Sequence, residues 1–165
     1  MRGKKFSAKA WTDGACSGNP GTGGWGVVIE ADGSEQMRMS GYELDSTNNR
    51  MELTAMVKAV ASIISMFKKS GSESATVMIM SDSAYVVNSI SNGWLLKWSK
   101  NGWKTKQGSV KNRELWERAH RLLSQARRMH CDIKVVKVNG HAGDEMNELA
   151  DRLAVEARLR AEQQL

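Results

Sequence analysis

A chain of 165 residues with 41% hydrophobic and 25% charged residues has the length and composition of one globular domain, which excludes a fibrous or disordered chain. The net charge of +6, from 24 Lys+Arg against 18 Asp+Glu, favours a polyanionic partner. No run approaches the ~20 apolar residues of a membrane helix, and the opening MRGKKF lacks the apolar stretch of a secretion signal, so a cytoplasmic protein with no membrane partner is expected.

Taken in chain order, residues 6–13 read as a strand ending at Asp13. Residues 14–24 are rich in glycine and read as turn, with the glycine-rich stretch 18–26 as a hairpin loop that lets backbone approach a ligand closely. Residues 25–31 and 36–42 form two further strands around the turn Ala31-Asp32-Gly33-Ser34, which completes a meander. Leu53, Met56, Val57, Val60, Ile63, Ile64 and Phe67 then follow helical spacing, capped by Asn48 or Asn49 and ending near Gly71. Residues 75–81 make an apolar strand, and a helix from about Ser83 to Gly93 follows. A basic connection leads to a helical stripe of Leu115, Ala119, Leu122, Leu123 and Ala126, a strand from Ile133 to Val138, and a last helix over 145–162. Strands joined through helices run parallel. The expected fold class is therefore α/β: a mixed five-stranded sheet, three strands antiparallel and two parallel, with helices on its faces.

Cys16 and Cys131 are the two cysteines; they fit neither a disulfide framework nor a zinc spacing and read as free thiols.

Four carboxylates carry most of the chemical signal: Asp13 in TDG, Glu52 in TNNRMEL, Asp82 in SDS, and Asp151, ten residues after His141 of GHAG. Singly each has an ordinary explanation. An Asp after a strand is usually a turn former, Asp82 suits a helix N-cap, and Glu52 suits a first-turn complement to the helix dipole. Together they fall at strand and helix ends on the side where open α/β sheets bind ligands. Four acids at one point repel unless a cation holds them, and carboxylates are the hard oxygen ligands that Mg²⁺ prefers. Phosphodiester hydrolysis by a pair of such ions is the chemistry this set suits. A second signal runs from Ser83 to Arg113, which holds no Asp or Glu but carries Lys97, Lys100, Lys104, Lys106, Lys111 and Arg113 among Trp94, Trp98 and Trp103. Lysines so placed can track phosphates without reading sequence.

The ordered motifs TDGACSGNPGTGGWG, TNNRMEL, MSDSAYV, WLLKWSKNGWKT, VKNRELW and NGHAGDEMNELADRLA resemble bacterial type 1 ribonuclease H over about residues 8–157. The resemblance implies a ribonuclease H-like fold over a single catalytic domain, residues 1–165. It implies endonucleolytic hydrolysis of the RNA strand of RNA–DNA hybrids, leaving 5′-phosphate and 3′-hydroxyl ends, by a monomer using two Mg²⁺ ions, with Mn²⁺ as a substitute. Asp13, Glu52, Asp82 and Asp151 match the metal-binding catalytic acids, and His141 matches a histidine that assists proton transfer or product release. Cys16, Asn19, Asn48 and Asn49 match hybrid contacts, and Thr47 with Asn112 matches a pocket for a DNA-strand phosphate. Trp94, Lys97, Trp98, Lys100, Trp103 and Lys104 match the basic protrusion, with Trp94 expected to be partly structural and Trp98 and Trp103 partly in the groove. Ala84, where relatives commonly have Gln, and Asp45, where some have a basic residue, depart from the pattern. Another nuclease or transposase-type enzyme of the same fold, or a non-catalytic hybrid-binding module, is the alternative.

Overall fold

The computed structural model describes residues 3–139 and 144–165. The chain opens with the antiparallel meander β1 (Lys5–Cys16), β2 (Gly21–Ala31) and β3 (Met37–Ser46), and α1 (Asn48–Ser70) leads to β4 (Ser74–Ser81). Next come α2 (Ala84–Ser91), α3 (Trp94–Asn101), a small hairpin of β5 (Lys104–Thr105) and β6 (Gly108–Ser109), α4 (Arg113–Arg128), β7 (Cys131–Lys137) and α5 (Glu145–Glu162). The main sheet has the order β3-β2-β1-β4-β7, with β4 parallel to both β1 and β7. No helix of the described residues is long and apolar enough to cross a membrane.

Alternation along the strands decides which layer each residue joins. Phe6, Ala8 and Ala10 of β1, Val27 and Ile29 of β2, and Val77 and Ile79 of β4 are buried in the main core with Leu53, Met56, Val60 and Ile63 of α1 and Trp116 of α4. The intervening residues Trp11 and Val28 point to the other face, where they meet Leu149, Ala150 and Leu153 of α5. The helical stripe of α1 is continuous because its one-sided spacing persists up to Gly71, whose φ of 69° closes the helix in the left-handed region.

Three local expectations are corrected. The glycine-rich stretch is mostly strand: β2 already begins at Gly21. A Cβ on Gly24 would lie 2.2 Å from Ala154 O and one on Gly26 2.5 Å from Ala150 O, so these glycines let the α5 backbone lie directly on β2. The cap of α1 is Thr47, neither Asn48 nor Asn49; its backbone is extended and its hydroxyl accepts from Arg50 N at 3.2 Å. The basic connection contains structure of its own, α3 and the β5–β6 hairpin, with left-handed Gly93 and Gly102 bracketing a helix of 8 residues too short for a clear periodic signal.

Candidate active site

The carboxylates meet because of strand register and one close approach. In the parallel β1–β4 pair Thr12 lies opposite Ser81, so Asp13 and Asp82 come next on adjacent strands. The Thr12 hydroxyl donates to Met80 O at 3.3 Å and pins that register. A Cβ on Gly14 would stand 2.5 Å from Glu52 N; its absence lets the start of α1 press against β1 and carries Glu52 to Asp13. One carboxylate oxygen from each of Asp13, Glu52 and Asp82 then lies within 4.8 Å of the others. Asp151, on α5 across the sheet, reaches Asp13 to within hydrogen-bonding distance.

The ordinary explanations of these acids do not hold. The cap of α2 is Ser83, whose hydroxyl accepts from Val86 N at 3.1 Å, so the Asp82 carboxylate is not used as a cap. The first turn of α1 contains no acidic residue, so Glu52 lies beyond the place where it would serve the helix dipole.

The cluster is electrostatically frustrated. Asp13 is 8% exposed and Glu52 4%. Burial, more than any other cause, raises the Asp13 carboxyl to about 7, and the neighbouring Asp82 and Asp151 push the same way. The Gly14 N–H donates to Asp13 Oδ1 at 2.9 Å and opposes that rise. Burial and then the charge of Asp13 drive Glu52 higher still. Glu52 Oε2 is buried with no hydrogen-bond partner among the described residues. An orphaned carboxylate oxygen costs free energy unless a donor or a cation meets it. Converging hard oxygen ligands with one such atom fit a divalent cation.

Beside the acids, Asn19, Thr47, Asn48, Asn49, Tyr85, Lys111 and Asn112 line one open groove. Asn19 Oδ1 accepts from Asn48 N at 2.8 Å and ties the β1–β2 turn to the start of α1. Asn112, at φ 58°, presents its amide between Arg50 Nη1 at 3.4 Å and the Tyr85 hydroxyl at 3.2 Å. Arg50 bridges Glu43 of β3, at 3.0 Å, and Glu114 of α4, and its guanidinium holds Glu114 below the usual carboxylate range. Sequence reasoning missed Arg50 and Tyr85 as parts of this groove. The signal for Arg50 was its place inside TNNRMEL; Tyr85 was read only as part of an apolar helical stripe. The Cys16 thiol donates to Gly21 O and Ser46 O at 3.5 Å and does not line the groove.

In the arm, Lys97, Lys100, Lys104 and Lys106 are all exposed. The tryptophans reverse the expected emphasis. Trp98 packs with its ring centroid 5.7 Å from that of the buried Trp116, and Trp103 meets His120 at 6.2 Å; both lean on the core. Trp94 is 47% exposed, because it opens α3 one turn before Trp98 and reaches past the edge of the core. Asp45 and Ala84 are both exposed. His141 lies outside the described residues.

The RNase H family model matches residues 7–158. The chain belongs to the RNase H family. It is 48% identical over 145 residues to the ribonuclease H of Syntrophomonas wolfei, covering 87% of this chain and 90% of that protein. It is 46% identical over 147 residues to that of Acetivibrio thermocellus, covering 88% and 90%. Among solved structures it resembles LC9-RNase H1, a type 1 RNase H with the type 2 active-site motif, at a TM-score of 0.77 and 28% identity, covering 98% of this chain and 76% of that one. LC11-RNase H1, solved in complex with an RNA/DNA hybrid, shares the fold at a TM-score of 0.67 and 22% identity, covering 93% and 98%. As an RNase H, the chain is an endonuclease acting on RNA–DNA hybrids.

Proposed function

We propose that this RNase H hydrolyses the RNA strand at the carboxylate cluster with Mg²⁺ held by Asp13, Glu52, Asp82 and Asp151, and that the groove and the lysine arm bind the DNA strand. The observation that carries this is the meeting of three acids within 4.8 Å around a buried, unpartnered Glu52 oxygen. Two such ions, when bound, activate a water and stabilise the leaving oxygen of an in-line displacement, which leaves 5′-phosphate and 3′-hydroxyl ends. Asp13, at the centre of the set, touches both Glu52 and Asp151 and is the natural bridging ligand. Asp82, at the end of its strand, closes the set on the β4 side. His141 is assigned a part in proton movement or product release, on the strength of its GHAG motif and the suitability of an imidazole near neutral pH.

The amides of Asn19, Asn48 and Asn49 face the same groove as Thr47 and Asn112 and can both donate and accept, which suits contacts to 2′-hydroxyls and base edges. Lys97, Lys100 and Lys104, with Trp94 beside them, extend that track along phosphates and deoxyriboses. Cys16 stands behind the groove, with its backbone at the turn that Asn19 anchors. The chain is read as a single catalytic domain, acting as a monomer in the cytoplasm, with Mn²⁺ able to replace Mg²⁺.

The deciding experiment is cleavage of labelled RNA–DNA, RNA–RNA and DNA–DNA duplexes with Mg²⁺ and with chelator. Cutting of the RNA strand of the hybrid alone, lost on chelation, is expected. Equal cutting of RNA–RNA and RNA–DNA duplexes, or cutting in chelator, rules the reading out.

A further inference from the structure

The hydroxyl of Tyr85 has a hydrogen to give and no protein group to take it. Trp116 is fully buried, and its indole N–H, which can only donate, points at the Tyr85 oxygen from 2.8 Å. The second neighbour is the Asn112 amide. Its Oδ1 faces Arg50 Nη1, also a pure donor, at 3.4 Å, which turns Nδ2 towards Tyr85, 3.2 Å away. The Tyr85 oxygen therefore accepts twice. Its own proton can go to neither partner, and no acceptor among the described residues receives it. Tyr85 lines the groove beside Thr47 and Lys111. The nearby anions do not compete, because Arg50 engages both Glu43 and Glu114.

We propose that the Tyr85 hydroxyl is a substrate-binding donor, delivering a hydrogen bond to a non-bridging oxygen of the DNA-strand phosphate that lies between Thr47 and Asn112. This rests on the reading of the groove as the DNA-strand site. The Asn112 amide, with one Nδ2 hydrogen on Tyr85, directs its other hydrogen into the same space. Trp116 and Arg50 act as positioning residues: they fix the orientation of the hydroxyl and the amide before substrate arrives, so little ordering is left to binding. The competing account is purely structural. In it Tyr85 only satisfies the Trp116 N–H and packs edge-on against its ring, at 5.7 Å between centroids and 70° between planes.

Steady-state kinetics of Tyr85→Phe, on hybrids in which one DNA phosphate at a time is replaced by a neutral methylphosphonate, separate the two. Phe keeps the ring contact and removes the proton. On the unmodified hybrid, KM should rise about ten-fold with kcat nearly unchanged, the loss of one hydrogen bond to a charged oxygen. In the unsubstituted enzyme one DNA position should show a comparable KM penalty, and at that position alone Tyr85→Phe should add little. If Tyr85→Phe multiplies KM by one constant factor at every position, the sensitive one included, the hydroxyl is structural and the proposal fails. It also fails if the unsubstituted enzyme cuts the hybrid with no sensitive DNA position. An enzyme that cuts no hybrid at all overturns the underlying reading instead. Should the unpaired indole keep Tyr85→Phe from folding, Tyr85→Phe with Trp116→Phe removes both groups, and the same scan applies.

Discussion

The carboxylate cluster and the basic arm carry opposite charge in opposite settings. Asp13 and Glu52 are buried, fixed by strand register and by the close approach at Gly14. They repel one another, and the fold supports that cost. The lysines of the arm stand in water, while the tryptophans beneath them do the packing. Buried like charges are retained against stability, so they should matter most where charge develops in the transition state. Exposed cations bind ground and transition states alike, so they should govern affinity.

The sharpest way to break this contrast is Asp82→Asn. Losing one negative ligand should leave the fold intact and cut turnover by about a thousand-fold or more, the order seen when a preorganised charge contact is removed. Circular dichroism with single-turnover cleavage checks it, and wild-type-like Mg²⁺-dependent turnover would end the assignment.

Next in size is a comparison inside the arm. Trp98→Ala should lower unfolding stability by about 3 kcal/mol, the low end for a truncated buried aromatic. Trp94→Ala, at the exposed end, should cost under about 1 kcal/mol. Denaturant titration measures both, and equal losses would mean that α3 does not divide into a supporting and a presenting side.

Replacing Lys97, Lys100, Lys104 and Lys106 together by Ala should raise KM by about ten-fold while kcat changes little. The slope of log affinity against log salt should become shallower, because fewer counterions are released. An unchanged slope would make the arm an ordinary solvated face.

The smallest effect concerns pH. Asp13 and Glu52 have folded-state carboxyls raised above the unfolded range near 4. The native state thus binds more protons than the unfolded one, and its stability is fully present below about pH 4. It should decline as pH rises through about 7, where Asp13 titrates in the fold, and further as Glu52 ionises. Metal-free protein should lose a few degrees of melting temperature between pH 5 and 8, at roughly 2–4 °C per kcal/mol. Mg²⁺ should restore the loss, and Glu52→Gln should flatten the profile. Calorimetry that shows metal-free stability rising over that interval contradicts the frustrated-cluster description.

Much of this was legible in residue order. Apolar spacing marked α1, β4 and α5, because a single buried face imposes its period on the sequence. The acids at element ends announced a site, because charges are rarely placed there together without use. Other features were not legible locally. The glycines of β2 look like a turn in isolation, and only the α5 backbone lying against Gly24 and Gly26 explains them. Thr47 and Asn48 are equally good caps by type; Asn19, far off in the chain, takes the Asn48 N–H and leaves the cap to Thr47.

The sequence by itself determined the chemistry: four acids, a basic tract and an α/β alternation, all properties of residue type and spacing. Tertiary structure alone decided which groups share a space. It set Asp13 beside Asp82 through strand register, made Glu52 Oε2 an orphan, and turned the Tyr85 hydroxyl towards the groove. The physical reason is that burial and hydrogen-bond partners come from segments distant in the chain, so no local pattern encodes them.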